Sequence, residues 1–577
     1  MFPVSRSRRP SRSRPSRSRP SRSRPSRSRA SRSRPSHDGF AVRALGALLL
    51  SAALAGLGCG GGDAAPPVDE GEPTHQSFDR GVLCTPERLL RPETVEEVQA
   101  AVRWAAERNL RVKAVSSAAS HSENAIICAD EGAIQLSLVA MDAIVGIDEE
   151  AMQITVEPAA QMGAIGDALH EAGLGVRNTI PLRDLTAAGA IATGAHHTSL
   201  RFPSGVHDMV VGLSLVDGRG ELQRLEGEEA RGAAAHLGRL GVVVAVTFQA
   251  EPQFKTRHAI TSGSDEGLED RILAMAREHD YASFSWWPGE GRWVLRQHDI
   301  VPADTPGEAY SVGWVSTAGD QRLQAALAHR ANRDPEGEGT LCDVQALRAE
   351  ATELVHEEAG EPVEGQAVGF SHRMFSSTCE GLACPWEHLK IFNPEVAIPV
   401  EELPRWMRRV REIVAARPAC FPLNGLVIRF SAASESWLGM NAGQDVAYVE
   451  LHVVRHPDEG AFEHFADVHD ELHQMSLLEF EARPHWGKNY GATFLGLDYP
   501  ALYPEWERFE ALRARLDPDG RFENAFFRRA LGLEPAPRPP GCAVERDCFC
   551  RDDADCGPGL VCRPGAVVEA ARVCRPE

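Results

Sequence analysis

Two runs of small residues constrain this chain more than anything else in it: "AVSSAASHSENAI" over 114–126 and "TAAGAIATGAHHTS" over 186–199. Each follows extended-looking sequence, and neither holds anything larger than Val or Ile before its first histidine. Backbone stripped of bulky side chains can lie closely against another surface and offer its N–H groups to an anion such as a phosphate. Tight turns produce similar runs, so the pattern alone leaves both readings open. The body has no G-x-G-x-x-G after a strand and no G-x-x-x-x-G-K-[ST], which argues against Rossmann and P-loop nucleotide sites.

Around these runs the sequence is periodic. In "RPETVEEVQAAVRWAAERN", Val95, Val98, Ala101, Val102 and Ala105 fall at helical spacing, and Thr94 with Glu97 has capping-box spacing. A helix is therefore expected before the short strand "RVKAV". Strands follow at "AIQLSL", "AIVGID" and "QITVEP", then a helix at "MGAIGDALHEAG". "MVVGLSLVDGRGELQRL" reads as a hairpin turning at Asp217-Gly218. The first domain spans 80–254. Residues 255–482 mix strands such as "LVIRFSA" and "AYVELHVVRH" with the helix "LPRWMRRVREIVAA", which makes an α+β second domain. Residues 483–535 carry "RPHWGKNY" and "LDPDGRFENAF", and 536–577 hold a Pro-rich linker and a Cys-rich module.

The N-terminal end is of a different kind. Residues 1–43 are built on an "SRSRP" repeat with almost nothing to bury, so they are expected to be disordered. They hold fourteen Arg against one Asp, so the chain's net charge of −21 understates how acidic the remainder is. An acidic body argues against nucleic acid as a partner. The apolar run at 44–57 is too short to cross a bilayer and suits a signal-peptide h-region. It ends in "GLGC", which makes Cys59 a lipidation candidate at the end of the 44–59 segment, with 60–79 a linker. The expected location is periplasmic, or membrane and cell-surface through a lipid anchor, in a bacterium. Of 13 Cys, six (Cys542, Cys548, Cys550, Cys556, Cys562, Cys574) lie in the last 36 residues. No C-x-x-C spacing occurs among them, so disulfides are expected there in preference to a zinc knuckle.

The collinear order of the helix at 94–107, "RVKAVSSAASHS", "LTAAGAIATGAHHTS", "HLGRLGVVVAVTFQAEPQF", "RPHWGK" and "LDPDGRF" resembles the flavoprotein oxidases of the vanillyl-alcohol oxidase type. Within them it is most similar to D-arabinono-1,4-lactone, L-gulonolactone and alditol oxidases. The resemblance implies an α+β protein: a PCMH-type two-subdomain FAD-binding domain, an α+β substrate (cap) domain and a small disulfide-rich tail. It implies FAD held by Ser117, Ala118, Ala119, Ser120, His121 and Ser122 in the first run. In the second run it implies contacts from Gly189, Ala190, Ala192, Thr193, Gly194, Ala195 and His196. His121 matches the histidine that the family joins covalently to the flavin, although the family's glycines before it are here Ala118, Ala119 and Ser120. Lys488 matches the active-site lysine, Arg429 the arginine of an E-x-R motif, His452 an active-site histidine and Thr186 a serine beside the reacting centre. The glutamate of E-x-R falls on Val427, so a carboxylate is expected to be missing there.

Oxidising an alcohol needs an acceptor for a hydride and a route for the hydroxyl proton, for which a buried Lys or His of lowered pKa is the expected base. The expected reaction is oxidation of a CH–OH group in a sugar lactone or alditol, with O2 as acceptor and H2O2 as product. Two alternatives are a dehydrogenase passing electrons to a quinone or cytochrome, and a non-catalytic carbohydrate-binding protein on the same fold. His469 and His473 at i, i+4 with Glu471 between them resemble a zinc motif, but Asp470 occupies the position that needs Glu, so a solvated helix face is expected and no metal.

Overall fold

The computed structural model describes residues 82–311, 356–376 and 391–577, apart from 118–121, 123, 418–420, 423–424 and 455–464, with His75–Gln76 and a few positions between 343 and 349. The chain divides into two units, 1–63 and 64–577, and the second carries everything described below. The Arg repeat, the apolar run at 44–57 and Cys59 lie outside the described residues. No described helix is long and apolar enough to cross a membrane.

The first layer is a three-stranded parallel sheet of β1 (Arg88–Leu90), β2 (Val112–Val115) and β3 (Ile134–Ser137), in the order β1-β3-β2. Parallel neighbours need a crossover, and α1 (Val95–Glu107) supplies the one from β1 to β2, burying Val98, Ala101, Val102 and Ala105 against the sheet. Thr94 Oγ1 accepts the Glu97 N–H, while the Glu97 carboxylate accepts from Glu93 rather than from Thr94 itself.

The second layer is a five-stranded antiparallel sheet. It comprises β4 (Ile144–Asp148), β5 (Gln153–Val156), β6 (Val210–Val216), β7 (Leu222–Glu226) and β8 (Val242–Gln249), in the order β7-β6-β8-β5-β4. The expected β6–β7 hairpin forms with Val216 opposite Leu222, but its loop is longer than an Asp-Gly pair. The Asp217 carboxylate caps it by accepting from Arg219 and Glu221 N–H, and Gly220 rather than Gly218 takes the left-handed conformation, at φ +77°. α2 (Met162–Glu171) follows β5. The second small-residue run is not all loop: Ala187–Ala192 form a buried six-residue helix, α3.

The cap is an eight-stranded antiparallel sheet. Its strands are β9 (Phe254–Ser264), β10 (Tyr281–Trp287), β11 (Arg292–Pro302), β12 (Ala367–Phe370), β13 (Glu395–Pro399), β14 (Leu426–Ser431), β15 (Val446–Leu451) and β16 (Arg483–Pro484). Their order is β12-β9-β11-β10-β14-β15-β13-β16. Side chains alternate between faces along a strand, and here the alternation divides apolar from charged. Val396, Ile398, Leu426, Ile428, Phe430, Val449 and Leu451 pack on α4 (Leu403–Ala416) and α5 (Ala466–Glu479) in one core. The other face carries Glu395, Arg429, Tyr448 and Glu450, all buried.

After this sheet the chain returns to the first two layers. α6 (Trp506–Leu516) and α7 (Ala525–Ala530) bury Phe509, Leu512, Phe526 and Phe527 in the same core as Ile165, Leu213 and Val246. The "LDPDGRF" motif is structural: the Asp517 carboxylate accepts from Arg521 and Phe522 N–H, and Arg521 donates to Gly218 O and Leu110 O. Asn524 closes this return by donating to the carbonyls of Ala125, Ile126 and Cys128.

The tail is a hairpin of β17 (Leu560–Pro564) and β18 (Arg572–Pro576) with disulfides Cys542–Cys548, Cys550–Cys562 and Cys556–Cys574. A fourth disulfide joins Cys84 to Cys128. The tail covers α5, which corrects the expectation of a solvated helix: Asp467, His469, Glu471 and His473 are all buried. His469 Nε2 faces Leu451 O and His473 Nε2 faces Thr493 Oγ1, so the two histidines serve packing rather than a metal.

Candidate active site

The motifs that lie far apart in sequence meet at Gly487. A Cβ built there would stand 3.2 Å from Thr193 Cβ and Oγ1 and 3.4 Å from Ser122 Oγ, so the first run, the second run and "HWGK" touch at one point. Asn124, at the polar end of the first run, donates through Nδ2 to Trp486 O at 2.8 Å and Asn489 O at 2.7 Å. Ser116 and Thr186 hydroxyls are 2.7 Å apart, which ties the two runs together. Glycine at 189 is required by that pair, since a Cβ would lie 2.9 Å from Thr186 Oγ1. Gly194 takes φ +80° in the turn that ends α3, a conformation glycine adopts without penalty. Ala190 is buried, Ala192 and Ala195 partly so, and Ser117 lies just beyond β2. Ala118, Ala119, Ser120 and His121 lie outside the described residues.

Beside this junction sits a buried charge cluster. Glu395 Oε2 accepts from Arg429 Nη2 at 2.8 Å and from Lys488 Nζ at 2.9 Å, and its Oε1 meets His196 Nε2. Glu450 Oε1 receives Arg429 at 2.8 Å, Asn393 Nδ2 at 3.0 Å and Lys488. Two carboxylates and two cations therefore neutralise one another, with Glu395, Glu450 and Arg429 buried and the Lys488 side chain 23% exposed. His196 donates through Nδ1 to His197 O at 2.9 Å and stacks on Tyr448 with ring centroids 3.6 Å apart. Burial holds the His196 imidazole below its ordinary 6.5 although Glu395 beside it favours the charged form.

Burial opposes ionisation of Glu395, but His196, Lys488 and Arg429 outweigh it and hold the carboxyl well below its usual range. Burial likewise pulls Lys488 down, but Glu395 and Glu450 outweigh it and hold the amine above its ordinary value. Lys488 therefore stands here as a cation, and of the Lys or His expected to take the proton it is not the one of lowered pKa. The lowered groups are the histidines: burial pulls His196 below 6.5 and drives His485 well below it. The His485 Nδ1 accepts the Gly487 N–H at 3.0 Å, which leaves the proton on Nε2, and that atom has no hydrogen-bond partner among the described residues.

Position 427 carries Val and no carboxylate. Val427 pairs directly with Glu450 across β14 and β15, so the acid lost from one strand is supplied, on the same face, by its neighbour. Arg429 is buried in the cluster, not a surface arginine. His452 stands at the edge, its Nε2 4.0 Å from Glu450 Oε2. His196, Glu395 and His485 lie close enough to suggest a metal, yet Glu395 is already committed to His196 and two fixed cations, which would repel a third. The cysteine groups of the tail are disulfide-bonded.

Sequence reading did not single out Glu395, Glu450, His485 or Asn124. The available signal was an acid inside an otherwise apolar strand, "EVAIP" and "VAYVEL", where a buried charge needs a partner.

Comparisons with known proteins agree with this arrangement. Residues 86–226 match the FAD binding domain family, 246–530 the D-arabinono-1,4-lactone oxidase family, and 539–576 the C-terminal domain of L-gulonolactone oxidase 2-like proteins. The chain belongs to the FAD-binding gulonolactone and arabinonolactone oxidase family. Among members of this aldonolactone oxidase family, probable L-gulonolactone oxidase 1 of Arabidopsis thaliana is 28% identical, covering 87% of this chain and 90% of that protein. L-gulono-1,4-lactone dehydrogenase of Mycobacterium tuberculosis is 29% identical, covering 78% and 97%. A solvent-stable cholesterol oxidase superposes with a TM-score of 0.63 at 17% identity, covering 79% of this chain and 97% of that one. Chitooligosaccharide oxidase does so at 0.54 and 12%, covering 78% and 93%. These two structures establish the fold. This chain binds FAD, and the small-residue junction suits it: Gly487 stands against Thr193 and Ser122, and Gly189 against Thr186 and Ser116.

Proposed function

We propose that this protein oxidises a CH–OH group of a sugar lactone or related polyol, with O2 as acceptor and H2O2 as product. The observation that carries the reading is the Lys488–Glu395–Arg429–Glu450 cluster set at the meeting of the two small-residue runs with "HWGK". FAD, when bound, supplies the two-electron acceptor, so the net change at the substrate is loss of two hydrogens from a carbinol to leave a carbonyl. The chain's own residues handle charge. Lys488 and Arg429 stabilise the oxygen while its proton passes to water, which reaches the 23% exposed Lys488 side chain, and the partial burial strengthens that attraction. The carboxylates of Glu395 and Glu450 keep both cations in place and make the cluster neutral overall, which suits an uncharged polyhydroxyl substrate. His485, with Nε2–H unengaged, is a donor for a substrate oxygen.

Relatives named as oxidases and as a dehydrogenase both occur, so the acceptor is tested directly: peroxide formed per lactone consumed in air, against reduction of a dye. A stoichiometric peroxide yield supports the oxidase, and dye reduction without peroxide sinks it. Covalent attachment of flavin through His121 is supported by the position of its neighbour Ser122 against Gly487. Acid precipitation checks it: yellow pellet if linked, yellow supernatant if not. Export, with lipidation at Cys59, rests on the apolar run at 44–57 and on the four disulfides among the described residues, bonds that persist in oxidising compartments. N-terminal mass of the mature protein tests it.

A further inference from the structure

The disulfide-bonded tail is fastened to the cap at two places, and the second is two residues from Lys488. At the first, Glu471 of α5, fully buried, accepts the backbone N–H groups of Ala566, Val567 and Val568 at 2.7, 2.6 and 2.9 Å. Gln474 exchanges two hydrogen bonds with the Arg572 backbone, and Arg575 reaches Asp467 at 2.9 Å. Val568 and Ala571 enter the cap's own apolar core. This is a built interface, since a buried carboxylate left without those three donors would be costly.

At the second place the tail grips the segment that carries Lys488. Ala492 N–H donates to Arg546 O at 3.2 Å. The Arg546 guanidinium lies over the rings of Phe392 and Tyr490 at 5.3 and 5.6 Å, and Phe549 meets Tyr490 edge-on at 6.3 Å. Asp470 of α5 completes the contact, facing Tyr490 Oη at 3.4 Å and Arg546 at 3.8 Å. On its other side the same segment is held by Asn124 and by Asn489, which donates to Glu395 O. Lys488 therefore sits on a short stretch pinned between the FAD-binding layer and the tail.

We propose that the tail is a working part of the active site, a clamp that sets the position of the Lys488 amine between Glu395 and Glu450, with Phe549 and Arg546 as positioning residues. The proposal rests on the reading of Lys488 as an active-site group. Its test uses the full-length holoprotein and the variants Phe549→Ala, Phe549→Leu and Glu471→Ala. Hydrogen exchange at residues 485–494 is expected to quicken in F549A and E471A while flavin content stays that of the wild type. Bleaching of the flavin at saturating L-gulono-1,4-lactone is expected to slow by roughly tenfold in F549A with KM little changed, and F549L restores most of it. Sulfite, which binds oxidised flavin more tightly when a cation is near, gives a readout free of substrate and is expected to bind several-fold more weakly in F549A. The proposal is overturned if exchange at 485–494 is unchanged, or if the segment loosens while bleaching and sulfite affinity stay as in the wild type. A wild-type protein that no sugar lactone bleaches counts against the substrate reading, while exchange and sulfite still decide the clamp.

Discussion

At the scale of single residues, the site depends on two acids that answer two cations. Removing one acid leaves a buried cation half-paired, which is more damaging than losing a surface pair. E450Q is expected to lower the rate of flavin reduction by one to two orders of magnitude while FAD stays bound, measured by stopped-flow bleaching. Because Val427 and Glu450 are cross-strand neighbours, the double variant V427E/E450V moves the acid one strand over and is expected to recover at least part of that loss. A double variant no better than E450V would show that the acid is needed on β15 itself. The pH behaviour follows from the same pairings. Glu395 is held below its ordinary 4.5, so its stabilisation is full above that pH and fades as pH falls through its lower folded value. Lys488 is held above 10.5, so its contribution is full below that pH and fades as pH rises through its higher folded value. K488M, which raises the folded value of Glu395 toward 4.5, is therefore expected to be less stable than the wild type near neutral pH but to lose less stability as pH falls from 4.5 to 3, as read by thermal unfolding across pH 3–7. Arg429 and Lys488 were legible from short motifs because those motifs are local. Glu395 and Glu450 were not, because only the register of three strands gathered from residues 395, 429 and 450 puts them together.

At the scale of elements, small residues serve two ends. Gly189 is small because Thr186 and Ser116 need the space, and this is testable without any substrate. G189A is expected to lower stability by about 1–3 kcal/mol, and T186A/G189A to return most of it, because the second change removes the hydroxyl that the new methyl meets. Equal melting temperatures for the single and double variants would rule out the clash as the cause. The second run was legible as small but not as helix, since six residues are too few to display a helical period. α5 is the opposite case. Its histidines and acids read as a wet face because nothing in the sequence announces that Glu471 will spend its oxygens on three backbone N–H groups nearly a hundred residues later.

At the scale of the whole molecule, buried histidines outnumber what the site needs. His197, His236, His372 and His473 are each pushed down to about 3 by burial, His258 to about 2 and His356 to about 4. His258 and His298 pair across strands with rings 4.2 Å apart, and His356 stands 4.5 Å from His258. A histidine whose folded value lies below its unfolded one stabilises fully above about pH 6.5 and loses that contribution as pH falls, because the unfolded chain takes up the proton first. Each adds up to about 1.4 kcal/mol per pH unit to the slope. Guanidinium unfolding is expected to show a steep decline between pH 6.5 and 5, and a flat profile there would contradict the burial of these rings. The order of layers and the cap were readable from periodicity and motif order. The docking of the tail was not, because it is made of backbone contacts and disulfide-held shape.

The return of the chain has a consequence for how the protein is made. Arg521 donates to Leu110 O and Asn524 to the carbonyls that follow the first small-residue run, so the oldest part of the chain is finished by some of the newest. A ribosome that has produced all of β1 to β8 has not yet produced a complete FAD-binding layer. Any chain cut short before Arg521 therefore lacks the contacts that close this layer.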